Sequence, residues 1–212
     1  MNKRIVILTK SSKFGQLCVA GIDYENGEWV RLVSTDASTH GAVSYSDLQF
    51  ENGRSAELLD VIDVEVTGSE NNPVQPENYV IDRDYYVGYV KTISIEEAIK
   101  LYKGLGEPFI LGDSSYYVDE EVVATLGRSL SLEVVDNLRF EQVVNDSGQP
   151  KTKLSFEYNR HHYSSMSVTD PRFYNVHDGQ EFGQAAIVVS IGTPFRGRCY
   201  KFVAAIYPLV PF

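Results

Sequence analysis

Leu17-Cys18-Val19-Ala20-Gly21-Ile22-Asp23, then Tyr24-Glu25-Asn26-Gly27, then Glu28-Trp29-Val30-Arg31-Leu32-Val33-Ser34 is the stretch on which the fold turns. Two β-rich runs flank an Asn-Gly pair, and that pairing signals a hairpin closed by a tight turn. On the second run, Trp29, Arg31 and Val33 share one face and Val30 and Leu32 the other. A matching unit stands near the other end. Ala186-Ile187-Val188-Val189-Ser190-Ile191-Gly192 leads through Thr193-Pro194-Phe195-Arg196-Gly197-Arg198 into Cys199-Tyr200-Lys201-Phe202-Val203-Ala204-Ala205-Ile206. Both units place cysteine close to a small-residue strand and arginine beside aromatic rings.

Working outward, residues 3–9, 58–67, 85–93, 129–144, 151–158 and 161–168 read as further strands, separated by turn-rich polar segments. Ser94-Ile95-Glu96-Glu97 forms a capping box that opens a helix running through Tyr102, and Gly104 ends it. Residues 119–126 read as a second short helix closed by Gly127, and Asp170-Pro171 as a helix entry. Each half then offers about five short strands and a short helix, which suits a small Greek-key barrel better than a sandwich. The prediction is an all-β protein of two small OB-like β-barrels packed together: 1–110 with a C-terminal helix, a junction over 111–128, and 129–212. The two end hairpins are expected to pair or to lie close together, bringing Trp29 and Arg31 near Arg196 and Arg198.

Composition bounds the function. The 212 residues are 43% hydrophobic and include 14 Tyr and 10 Phe, enough for a full core with a lean toward β structure. No apolar run is long enough to cross a membrane, and the charged residues Lys10 and Lys13 cut the first apolar run short of a signal peptide. A cytoplasmic protein is expected. Cys18 and Cys199 are too few for a disulfide framework or a zinc site by themselves and read as buried small hydrophobes. The net charge of −10 argues against sequence-independent coating of DNA. Its distribution is uneven, however: residues 35–121 carry 5 basic and 18 acidic groups, whereas residues 122–212 carry 9 and 8.

The chain lacks a phosphate-binding Walker loop, a dinucleotide fingerprint, a nucleophile elbow and an HExxH zinc motif. His161 and His162 are adjacent and point to opposite faces of a strand, so they cannot share one metal ion. The expectation is no enzyme, no cofactor and no metal. Four places carry recognition chemistry. Lys10 and Lys13 flank Ser11-Ser12 ahead of Phe14-Gly15, a loop suited to phosphate or else a solvated turn. Trp29 and Arg31 share a strand face, suited to a stacked base with a neighbouring phosphate or else to a core and barrel-edge role. Arg160 and His162 combine charge with stacking, or form a plain turn and strand. Arg196, Arg198, Tyr200 and Lys201, with Phe195, form the densest basic-aromatic cluster, open to ligand contact or to salt bridging.

Taken in order, Ile7-Leu8-Thr9-Lys10-Ser11, Cys18 to Ser34, Phe109-Ile110-Leu111-Gly112, Ser167-Val168-Thr169-Asp170-Pro171 and Ser190 to Ile206 resemble the bacterial dual OB-containing domain family across nearly the whole chain. One departure is Leu32, where the family often carries proline. The resemblance implies two OB-like barrels in one module and a nucleic-acid-binding role, in some cases beside bacterial conflict systems. The leading expectation is a non-catalytic module for single-stranded or structured RNA or DNA. The alternatives are a scaffold that uses the acidic middle region to hold a basic protein partner, and a small-nucleotide sensor.

Overall fold

The computed structural model describes residues 1–13, 15–145 and 147–209, with the backbone alone at Lys13 and Ala37. Strands take up 51% of the described residues and helix 11%, so the fold is mostly β. The chain divides into two compact units, one comprising 1–72 and 76–103, the other 73–75 and 104–212.

In the first unit, β1 (Asn2–Lys13), β2 (Gln16–Asp23), β3 (Trp29–Val33), β4 (Asp60–Ser69) and β5 (Asn78–Ile81) close on themselves. The order is β1-β2-β3-β5-β4, and β4 returns to β1; only the β3–β5 pair is parallel. That closed five-strand ring with one parallel pair is the OB barrel. β6 (Gly88–Thr92) adds to the free side of β4, and α1 (Ile95–Leu101) follows. The ring closes because β1 serves two partners, Asn2–Val6 facing β4 and Ile5–Lys13 facing β2, with a bulge between Ile7 and Thr9 that bends the strand. Opposite that bend stands Gly21, where a Cβ would lie 2.1 Å from the carbonyl oxygen of Val6, so no side chain fits. Val30 and Leu32 face the apolar core with Ile5, Ile7, Val19 and Ile62.

The second unit repeats this topology. β8 (Leu130–Val144), β9 (Pro150–Tyr158), β10 (His161–Val168), β11 (Glu181–Ile191) and β12 (Arg198–Pro208) pair in the order β10-β9-β8-β11-β12, and a parallel β10–β12 contact at Ser167↔Phe202 and Val168↔Val203 returns the ring to β10. β8 is the counterpart of β1: long, paired on both sides and bulged between Asp136 and Arg139. Its core gathers Phe140, Phe156, Tyr163, Met166, Ile187 and Val203.

Three boundaries differ from the sequence reading. The first unit ends at residue 103, and Pro73–Gln75 belongs to the second. The expected junction 111–128 is part of the second unit: β7 (Tyr117–Asp119) pairs with β12, and α2 (Glu120–Leu126) follows it, closed by Gly127 in the left-handed region. The segment ahead of β7 is also tied inward. Tyr158 donates its hydroxyl to the carbonyl of Glu107 (2.8 Å), the Ile110 amide donates to the Tyr163 hydroxyl (2.9 Å), and Ile110 and Leu111 are buried. Finally, the two end hairpins belong to separate sheets of separate units. Among the described residues, no helix is long and apolar enough to cross a membrane.

Lys201 belongs to this interior. Its ammonium donates to the carbonyls of Ile110 (3.0 Å) and Asp113 (2.6 Å), and lies 3.4 Å from the Asp113 carboxylate. Burial pushes its pKa down to about 8 from 10.5, against the pull of Asp113. Between those values the unfolded chain binds the proton and the folded one has released it, so the lysine's contribution to stability rises with pH across the window and is smallest below it. Denaturant unfolding of wild type and Lys201→Met at a series of pH values should show the difference moving in favour of wild type by about 3 kcal/mol through this window. A pH-independent difference would refute the assignment.

Candidate nucleic-acid interface

OB barrels bind oligonucleotides on the face of their second and third strands and with the loops joining strands one to two and four to five. In the second unit, the four-to-five connection is residues 192–197. Phe195 and Arg198 pair backbone to backbone (2.8 and 3.2 Å), leaving Arg196 and Gly197 as a two-residue tip. Both tip residues have positive φ, 54° and 77°, as a type I′ turn demands. Glycine meets that demand without strain; arginine rarely does, and strained positions of this kind concentrate at functional sites.

The turn presents a basic-aromatic surface. The Arg196 guanidinium lies 5.1 Å from the Phe195 ring centre, and that of Arg198 lies 4.3 Å from Tyr117. Tyr116 stacks beside Tyr200 with ring centres 6.2 Å apart, and touches Tyr117 edge-on at 5.3 Å. Phe195 is 58% exposed and Tyr116 49% exposed. Among the described residues neither arginine is in a salt bridge. Two free cations and several accessible ring faces are the components with which a protein holds phosphate and stacks bases.

Strand alternation sorts the residues that the sequence brought forward here. Arg198 and Tyr200 point outward opposite Asp119 and Tyr117 of β7, whereas Cys199 and Lys201 point inward. Lys201 is therefore removed from the surface: its ammonium serves the carbonyls of the 110–113 segment and has no solvent-facing side. Cys18 and Cys199 are both free thiols, and burial raises the pKa of Cys199. Arg160 stands at the tip of the β9–β10 hairpin, where Asn159 and Arg160 again both have positive φ (52° and 67°). His162 is exposed and lines a groove of about 820 Å³ with Arg139, Ser155, Asp178 and Glu181.

The first barrel treats its candidates differently. Residues 10–13 form the end of β1 rather than a loop, Lys10 pairing with Val19 and Lys13 with Gln16; Phe14 and the Lys13 side chain lie outside the described residues. The Lys10 ammonium is engaged by the Ala56 carbonyl (2.6 Å) and the Glu57 carboxylate (3.0 Å). Trp29 and Arg31 face out of the barrel, opposite to Val30 and Leu32, yet are only 8% and 6% exposed. The chain's own side chains cover them. Tyr102, following α1, meets the indole edge-on with ring centres 5.6 Å apart, and Glu77 pairs with Arg31 at 3.5 Å. The positions that would take a base and a phosphate are thus filled from within the unit.

Sequence reasoning missed Tyr116 and Tyr117, which reach the patch only because β7 pairs with the start of β12, some eighty residues later. Their signal was the repeated aromatic pair in an otherwise polar, Gly/Ser-rich segment. A comparison with curated proteins found no match. The model of one protein family, described as the dual OB-containing domain, matches residues 3–206.

Proposed function

We propose, from the premise that this chain belongs to the dual OB-containing domain family, that it is a non-catalytic nucleic-acid-binding module whose second barrel holds a single-stranded segment. The observation that carries this reading is the exposed Phe195-Arg196-Gly197-Arg198 turn, flanked by Tyr116, Tyr117 and Tyr200, on the connection an OB barrel uses for ligands. Single strands fit this surface better than duplex because accessible rings need unpaired bases to stack on, and the chain's net charge of −10 disfavours a broad phosphate track.

Fluorescence anisotropy with labelled single- and double-stranded DNA and RNA, each across a salt series, tests the reading. Micromolar or tighter binding to a single strand is expected, with log K falling by roughly 0.7 per decade of salt for each phosphate contacted. No binding to any of the four at low salt would overturn it. It would favour a second reading, docking of a basic protein partner on the first unit, where Tyr45, Tyr85, Tyr86 and Tyr89 stand exposed in the acidic stretch.

A further inference from the structure

Glu133, near the start of β8, is 1% exposed, and among the described residues it is in no salt bridge. Directly opposite it on β11 stands Ile187. An ionised carboxylate buried without a counter-ion is costly. Arg128 acts on Glu133 only through its field, its guanidinium being paired with Glu107 at 3.5 Å. The contacts of the carboxyl group fix its proton count. The Ser131 hydroxyl donates to Oε1 at 2.6 Å, and the Gly106 amide donates to the same group. The Tyr158 hydroxyl oxygen lies 2.9 Å from Oε2 and 2.8 Å from the Glu107 carbonyl oxygen. Three oxygens thus stand in line with two hydrogen-bonding gaps between them. A phenol carries one proton and a carbonyl none, so Tyr158 fills the gap to Glu107. The gap to Glu133 then needs a proton on Glu133. Burial pushes the Glu133 carboxyl above its ordinary value of 4.5, towards that form, and burial raises Tyr158 too, so the phenol keeps its proton.

We infer that Glu133 is kept as a neutral carboxylic acid and forms, with Tyr158, a proton-dependent latch that holds the segment ahead of β7 to the second barrel. Glu107 is where the latch grips that segment; further on, the Ile110 amide is tied to Tyr163, and Lys201 meets the carbonyls of Ile110 and Asp113. Tyr116 and Tyr117 of the basic-aromatic patch follow three residues later. Once ionised, Glu133 takes the Tyr158 proton into a charge-assisted bond, and the Glu107 carbonyl loses its donor. The Asn159 amide, 3.5 Å away, is a poor substitute. The titratable and charged groups facing Glu133 are Tyr158 of β9, Tyr163 of β10, and Arg128 and Glu107 from the chain before β8. Because the folded acid binds its proton more tightly than the unfolded one, the latch is fully closed below 4.5 and weakens as pH rises from there to the folded-state value. Only its effect on a ligand rests on the nucleic-acid reading above.

Carbon-13 NMR of the glutamate carboxyls in the full wild-type chain, titrated upward from pH 4.5, reads Glu133 directly. Its resonance is expected to stay in the protonated position after those of exposed glutamates have ionised. Titration together with them overturns the inference. Glu133→Gln keeps the hydrogen bonds of the neutral acid and cannot ionise. Native-state hydrogen exchange at the Ile110 amide then compares variant and wild type at equal pH, where the exchange chemistry and the titration of Lys201 cancel. Relative to the variant, wild-type protection should fall about tenfold for each pH unit between 4.5 and the midpoint seen by NMR. A ratio that does not change with pH overturns the latch. Circular dichroism checks that the variant keeps its fold; if it does not, the wild-type titration still decides whether Glu133 holds its proton. None of these readouts contains nucleic acid. In anisotropy, single-strand affinity should fall with rising pH more steeply in wild type than in Glu133→Gln. Equal profiles overturn control of the interface by the latch, whereas no binding at any pH overturns the nucleic-acid reading and leaves the latch to the protein readouts.

Discussion

The double variant Arg196→Ala/Arg198→Ala is expected to bind single-stranded nucleic acid about a hundredfold more weakly than wild type, and with a flatter salt dependence. The two guanidiniums are unpaired among the described residues, lie over Phe195 and Tyr117, and stand on a turn whose backbone geometry is locked by two hydrogen bonds. Losing two phosphate contacts should lower the slope of log K against log salt by roughly 1.4 units for a single strand. Loss of the cations also frees the rings from their cation–π partners without removing them, so residual stacking should persist. Isothermal titration across a salt series reads both quantities. An affinity and slope within error of wild type would place the ligand elsewhere. Because both side chains are exposed, the variant should unfold with wild-type stability, which separates a binding loss from a folding loss.

Asp170→Ala is expected to cost the second barrel about 2–3 kcal/mol, the scale of leaving a buried N–H without its charged acceptor, since the Arg172 partner is half exposed. Asp170 is 2% exposed and accepts from the Arg172 guanidinium (2.7 Å), the Arg172 amide (3.1 Å) and the Ile206 amide (3.0 Å). Arg172 in turn donates to the Ile206 carbonyl (2.9 Å). The carboxylate and guanidinium together therefore satisfy both backbone groups of Ile206 as a neighbouring strand would, and removing the carboxylate strands a buried N–H and an arginine at once. Hydrogen exchange should show the Ile206 amide, otherwise protected, opening early in the variant, alongside a lowered denaturation midpoint. A loss under about 1 kcal/mol would mean that the pair is replaceable by solvent. The sequence pointed to Asp170 as a helix cap, and it does accept from the Arg172 amide at the head of a 3-10 turn; its reach to β12 needed the folded barrel.

Local chemistry was legible because it is carried by neighbours in the chain. Asn26-Gly27 marks the first hairpin, Ser94 and Glu97 form the expected reciprocal cap, and Arg196-Gly197 is a turn tip as its composition suggested. Residues 10–13 were misread as a loop because their polar side chains carry no strand pattern, and only pairing with β2 holds them extended. Burial was hardest to read. Arg196, Arg198 and Lys201 look alike as a run of cations, and which of them faces water depends on strand phase and on what lies against the inner face. For Lys201 that is the 110–113 segment, far away in sequence.

By itself, then, the amino-acid order determined that this is an all-β chain of two OB-type barrels with its densest cationic and aromatic residues on the last hairpin, because hydrophobic alternation, turn residues and caps act over a few residues. Tertiary structure alone decided which of those residues are available. Covering Trp29 with Tyr102, pairing Arg31 with Glu77, sinking Lys201 and bringing Tyr116 and Tyr117 to Arg198 all depend on contacts between segments distant in the chain. Such contacts exist only once strand register is set, and register is a property of the closed barrel rather than of any one strand.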